Sequence, residues 1–118
     1  MAKLELTLRG DFDTVVQDVA DAILQGSISA SQEDFSEIRT ANTRLGVYVF
    51  ERYSFWGGNR VSLTLTFLQN NGEDRIYASA ITAGGSQGVF FKWDTLGEDT
   101  FLEKAEKAMK PHLAESYH

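Results

Sequence analysis

Cysteine is absent from the 118 residues, which removes disulfides, thiolate nucleophiles and thiolate metal sites together. Histidine is almost absent. Only His112 and His118 occur, both in the C-terminal tail and without metal-ligand spacing. No apolar run reaches the roughly 18 residues of a membrane-spanning helix, and the N-terminus lacks the layout of a signal peptide. These absences lead us to expect a soluble, cytoplasmic protein with no membrane partner. Basic residues are outnumbered, 11 Lys and Arg against 17 Asp and Glu, for a formal net charge of −6. That balance argues against nucleic acid, because phosphate contacts supply most non-specific affinity.

The motifs of familiar chemistry are missing as well. There is no Gly-x-Ser-x-Gly elbow and no Gly-Lys-Ser/Thr ending to a phosphate loop. The glycine-rich stretch Gly84-Gly85-Ser86-Gln87-Gly88 leads into the strand-like Val89-Phe90-Phe91-Lys92-Trp93 rather than a helix, so it reads as a connection. Adjacent acids at Glu33-Asp34, Glu73-Asp74 and Glu98-Asp99 project apart and sit at turns or helix starts. The chain points away from catalysis and calls for no cofactor or metal.

What is present suits one folded domain over residues 1–118, with 42% hydrophobic and 24% charged residues. Lys3 to Arg9 alternates Leu4, Leu6 and Leu8 with polar residues, the pattern of a half-buried strand. Phe12, Val15, Val16, Val19, Ala20, Ile23 and Leu24 then recur at helical spacing. Asp13 is the expected N-cap and Gly26 the expected C′ residue. Ser27 to Ser36 allows a short edge strand at Ile28–Ala30 and a turn at Gln32-Glu33-Asp34, followed by a strand from Phe35 to Thr40. Near the C-terminus, Thr95 and Glu98 have capping-box spacing. Phe101, Leu102, Ala105, Ala108 and Met109 form a stripe, and Pro111 stops the helix near Lys110.

Between these lies Arg44 to Ala83, three strands joined by two turns. Asn71-Gly72 predicts a type I′ hairpin, pairing Phe67 with Ile76, Leu65 with Ala78 and Leu63 with Ala80. The first hairpin allows two registers. A three-residue loop at Gly57-Gly58-Asn59 turns Leu45, Val47, Val49, Glu51 and Tyr53 inward, and we prefer it because it buries more apolar surface. A two- or four-residue loop turns Gly46, Tyr48, Phe50 and Arg52 inward instead, since a one-residue slip exchanges the faces. The expected fold class is α+β: a single antiparallel β-sheet meander with an N-terminal and a C-terminal helix packed on one face.

That order of elements resembles the helix-grip fold of START-like proteins, in which a sheet curls around a C-terminal helix and leaves a cavity. In sequence, Phe50-Glu51-Arg52-Tyr53-Ser54, Gly57-Gly58-Asn59-Arg60-Val61-Ser62, Ser79-Ala80-Ile81-Thr82, Gly84-Gly85-Ser86-Gln87 and Val89-Phe90-Phe91-Lys92 resemble an uncharacterised family of small bacterial proteins. The resemblance covers nearly the whole chain, implies a bacterial cytoplasmic setting and brings no catalytic residue with it.

Two functions fit. One is a homodimeric structural or regulatory domain, self-associating through an outer sheet face that carries Tyr48, Phe50, Arg52, Thr66 and Tyr77, aromatic and Arg side chains being enriched at interfaces. Its charge distribution agrees: Gly10 to Ile38 holds seven acids and no Lys or Arg, whereas Arg39 to Arg75 holds five Arg against Glu51, Glu73 and Asp74. The other is a module for a small apolar or amphipathic ligand in a cavity between the sheet and the C-terminal helix. There Glu51, Tyr53 and Arg60 would supply the polar contacts, and small Ala78 and Ala80 would leave room or let a helix approach.

Overall fold

Gly10 turns the chain at the open end of the sheet. Its N–H donates to the Asp74 carbonyl at 2.9 Å, and its own carbonyl accepts from the Gln69 amide at 3.2 Å. The computed structural model describes residues 2–27, 29–53, 60–84 and 100–114. Before Gly10 runs β1 (Ala2–Arg9), and after it α1 (Phe12–Gln25). The chain continues through β2 (Ser31–Arg39), β3 (Thr43–Tyr53), β4 (Arg60–Asn70) and β5 (Arg75–Gly84) to α2 (Phe101–Met109) and a 3-10 turn at Lys110–His112. All five strands form one antiparallel sheet in the order β1-β5-β4-β3-β2. The α+β class, the meander and the two helices are as the sequence predicts.

Both helices cover the same face. Phe12 opens α1 over β3, its ring packed above Gly46, where an added Cβ would crowd the Tyr48 ring at 3.0 Å. α2 lies against β1, β5 and β4 and against α1. Between these layers Leu63, Leu65, Phe67, Ile76, Ala78 and Ala80 from the sheet meet Val15, Val19, Ile23, Ala105 and Met109. Full burial of each large apolar side chain contributes about 1.5–3 kcal/mol before conformational entropy is counted. β2 lies beyond both helices, and all nine of its residues are exposed.

Several details differ from the pattern expected. The second hairpin pairs Phe67 with Ala78, Leu65 with Ala80 and Leu63 with Thr82, two residues away from the predicted register. A type I′ turn needs positive φ at both central residues. Only Gly72 has it, at 86°, and Glu73 N–H closes the turn on the Asn70 carbonyl at 3.1 Å. Glu73 and Asp74 lengthen the loop, and Asp74 is held there by Gly10. A shift of two leaves every side chain on its predicted face, so the core is unaffected.

The first hairpin takes the register that was not preferred. Gly46 pairs with Phe67, Tyr48 with Leu65, Phe50 with Leu63 and Arg52 with Val61, so these face the helices while Glu51 and Tyr53 face away. Charge decides it. The preferred register sends a carboxylate beneath α2, whereas the observed one sends a guanidinium, more weakly hydrated and carried on an apolar stem. Arg52 is 8% exposed and sits over the Phe101 ring at 4.9 Å.

At the helix starts, Asp11 rather than Asp13 caps α1, accepting from Thr14 N–H. Gly26 ends α1 with φ −83°, so no left-handed cap forms. Thr100 and Glu103 make the capping box of α2; the pair Thr95 and Glu98 falls outside the described residues, as does the strand expected at Val89–Trp93. The turn expected at Gln32-Glu33-Asp34 is instead a bulge inside the nine-residue β2.

Candidate functional site: the bare sheet face and the groove beside it

Alternation assigns the other face of the sheet, and the registers line its side chains into rows across the strands. One row runs Thr7, Tyr77, Leu68, Leu45 and Ile38. The next runs Glu5, Ser79, Thr66, Val47 and Ser36, and a third Lys3, Ile81, Thr64, Val49 and Asp34. No described element covers this face. Ile38 is 55% exposed, Tyr77 41% and Ile81 38%, at positions where a folded chain ordinarily shows water polar groups.

Toward β1 the face dips into an open cavity of about 600 Å³ bounded by Glu5, Thr66, Arg75, Tyr77 and Ser79, with Leu113 and Ala114 at its rim. Those last two residues run along the outer edge of β1. Leu113 pairs with Leu8, and Ala114 N–H donates to the Thr7 carbonyl at 3.0 Å.

The three polar residues expected in a ligand pocket do come together, but on this bare face at the mouth of the β3–β4 hairpin. Arg60 lies 3.1 Å from Glu51 and its guanidinium stands over the Tyr53 ring at 5.2 Å. Glu51 Oε1 is buried and takes no hydrogen bond of good geometry, so this contact is a charge pair. Ser29 Oγ donates to the Tyr53 carbonyl and holds the start of β2 to that corner.

The five residues expected at an interface divide between the faces. Thr66 and Tyr77 lie on the bare one. Tyr48, Phe50 and Arg52 lie beneath the helices, Phe50 at 0% exposure, because of the first-hairpin register. Leu45, Val47 and Val49, expected inward, lie with Ile38 on the bare face instead. Ala78 and Ala80 are buried in one cluster with Ala105 and Met109, where their small size lets α2 approach.

A second feature went unnoticed in the sequence. Because α1 stands over β3 and β2 projects past it, a groove of about 290 Å³ opens between them, lined by Val16, Gln17 and Ala20 on one side and Gln32, Phe35 and Tyr48 on the other. Phe35 stacks on Tyr48 at 5.6 Å and 11°, and Tyr48 meets Phe67 edge-on at 6.0 Å. Burial, and then the charge of Glu37, pushes the Tyr48 phenol pKa up. At the end of the groove Arg44 bonds Asp13, lies 3.2 Å from Glu37 and covers the Phe12 ring at 4.3 Å, fastening α1 to the strands. The hydrogen bond from Arg44 holds the Asp13 carboxyl below its ordinary range, and that same bond raises the Arg44 guanidinium. Phe35, two positions from both Glu33 and Glu37 in an otherwise polar stretch, was the available signal; it was read as strand without a role.

Among the described residues no cluster of His, Asp and Glu fits a metal ion, and no helix is long and apolar enough to cross a membrane. Compared with known proteins, residues 1–112 match one family, described as a family of unknown function (DUF6054). No curated protein and no solved structure matches the chain.

Proposed function

We propose that this chain, which belongs to the DUF6054 family of unknown function, is a non-enzymatic structural or regulatory domain that works as a homodimer joined through its bare sheet face. The observation that carries this reading is the row Tyr77, Leu68, Leu45 and Ile38, an apolar stripe four strands wide with no described cover. Sheets stack face to face about 10 Å apart with strands nearly aligned. A two-fold axis parallel to the strands and centred on β4 sets each row against itself in reverse. Leu68 then meets its own copy, Tyr77 meets Leu45, and Lys3 at one end of the third row meets Asp34 at the other. Opposite charges at the two margins and apolar groups at the centre are the anatomy of a stable interface. The absence of cysteine suits the bacterial cytoplasm in which we place the protein.

Sedimentation equilibrium at about 50 µM, well above a micromolar dissociation constant, tests it. The expected mass is twice the 13.2 kDa of one chain. Ile81→Asp is expected to give monomers with unchanged circular dichroism. Lys3→Glu weakens the dimer, and combining it with Asp34→Lys restores it. A monomeric wild-type chain at that concentration, or a dimer indifferent to Ile81→Asp, refutes the reading.

A further inference from the structure

We infer that the free edge of β2, together with the groove between β2 and α1, is a docking site for an extended basic segment of another protein, added as a sixth strand. β2 ends the sheet, all nine of its residues are exposed, and no described strand pairs with its outer edge. An edge of that length offers a row of unpaired N–H and C=O groups to any extended chain. When a strand adds to an edge, main-chain hydrogen bonds supply affinity and pockets for alternate side chains supply selectivity. Here the pocket lies in the right place. The groove opens on the helix side of β2, so every second side chain of an added strand points over Phe35 toward Val16 and Ala20.

Blunting of an exposed edge accounts for the acids and the bulge of β2. It does not account for Phe35, kept 58% exposed against Tyr48 beside a groove that Val16 and Ala20 share with Gln17 and Gln32. An aromatic shelf of this kind is what an incoming aliphatic or aromatic side chain covers.

Charge chooses the occupant. α1 and β2 carry Asp13, Asp18, Asp21, Glu33, Asp34 and Glu37 against Arg39 alone. Arg44 from β3 engages only Asp13 and Glu37. A second copy of β2 would bring its own Glu33, Asp34 and Glu37 alongside, and like charges across paired strands destabilise them. A segment alternating Lys or Arg with apolar residues meets the opposite situation: its apolar side chains enter the groove while its bases, on the other face, lie beside Asp34 and within the negative field of the remaining acids. The bare-face dimer engages Asp34 but leaves the main-chain edge of β2 and the groove open, so the two proposals stand or fall separately.

The test is selection of random octapeptides displayed on phage against the immobilised full-length chain, followed by titration of the best synthetic peptide. We expect enriched peptides to be basic, to alternate with apolar residues and to lack proline. Binding should slow amide exchange across residues 31–39 and weaken as salt rises. Gln17→Trp fills the groove from an exposed position and Phe35→Ser removes the shelf; each should weaken binding by roughly tenfold or more, the loss typical of an interface anchor. The proposal is overturned if no peptide is enriched, or if an enriched peptide binds both variants unchanged or leaves β2 exchange unaltered. It is equally overturned if β2 amides of the free chain become protected as its concentration rises, which would assign the edge to a second copy.

Discussion

Arg52 and Phe101 join the sheet to the first residue of α2, the guanidinium 4.9 Å from the ring centre and both residues buried. The contact holds the C-terminal helix at the end where it enters the fold. Arg52→Ala is expected to cost roughly 2–3 kcal/mol through lost stem packing and the lost cation–π contact. Phe101→Ala should cost about 3–5 kcal/mol. In urea unfolding the double variant should fall short of the sum by roughly 0.5–2 kcal/mol, the coupling of residues in direct contact. Strict additivity would mean that the contact contributes nothing.

Asp on the two faces of the sheet should have opposite consequences. Phe50 is 0% exposed, so Phe50→Asp buries a carboxylate in the core and should cost more than about 4 kcal/mol, leaving the chain unfolded or aggregated. Ile81→Asp, at a residue 38% exposed, should remain folded, its thermal midpoint lowered only by what dimerisation contributes to the wild type. Circular dichroism on heating separates the two, and a folded Phe50→Asp chain would contradict the register of β3.

How much of this was legible depends on which quantity the sequence encodes. Alternation encodes parity, so the inner set Leu63, Leu65, Phe67, Ile76, Ala78 and Ala80 could be read although the Asn71-Gly72 turn is longer than expected. Parity cannot be carried across a loop of undetermined length, and β3 was therefore free to flip. Counting apolar residues favoured the wrong face because Leu45, Val47 and Val49 outnumber Tyr48 and Phe50. What outweighed the count was a long-range partner, Phe101, that nothing near Arg52 in sequence announces. β2 was obscured for a related reason: its bulge at Glu33 interrupts the alternation, and a strand exposed along its whole length has little alternation to show. Asp11 and Asp13 are both sound caps, and the choice between them rests on Arg44, which takes Asp13 for itself.

The Asp13–Arg44 bond carries a pH signature. The folded chain holds Asp13 at a lowered pKa, so this stabilisation is complete above the ordinary aspartate range and is lost as pH falls through the folded value. Its size is modest, below about 1 kcal/mol, because the Asp13 side chain is 71% exposed. Asp13→Asn should therefore be slightly less stable than wild type at neutral pH, with the gap closing in acid. Urea midpoints of the two chains from pH 7 to about pH 3 read this directly, and a gap that widened on acidification would assign the wrong sign to the pair.

Glu51→Gln bears on the hairpin mouth. The Arg60–Glu51 pair is open to water on its Arg60 side, 59% exposed, while Glu51 Oε1 is buried beneath it, and the contact lacks hydrogen-bond geometry. The substitution should shift the thermal midpoint only slightly, and that shift should vanish in high salt. Thermal unfolding at low and high salt checks it; a larger, salt-insensitive loss would mean that Glu51 is held by something other than Arg60.

The pairing of β1 with β5 also sets the order in which the molecule can assemble. Leu8 meets Ile76 and Ala2 meets Thr82, separations of 68 and 80 residues. The β2–β3–β4–β5 meander closes through neighbouring turns, but β1 has no partner until β5, made after it, is in place. Until β1 docks, β5 presents a bare edge and Leu4, Leu6 and Leu8 lack their place in the sheet. Closing so long a loop is paid in chain entropy before any contact returns it. The docking of β1 is accordingly expected to be the slow step of folding, and a chain stalled before it is expected to be the species most prone to pair with another of its kind.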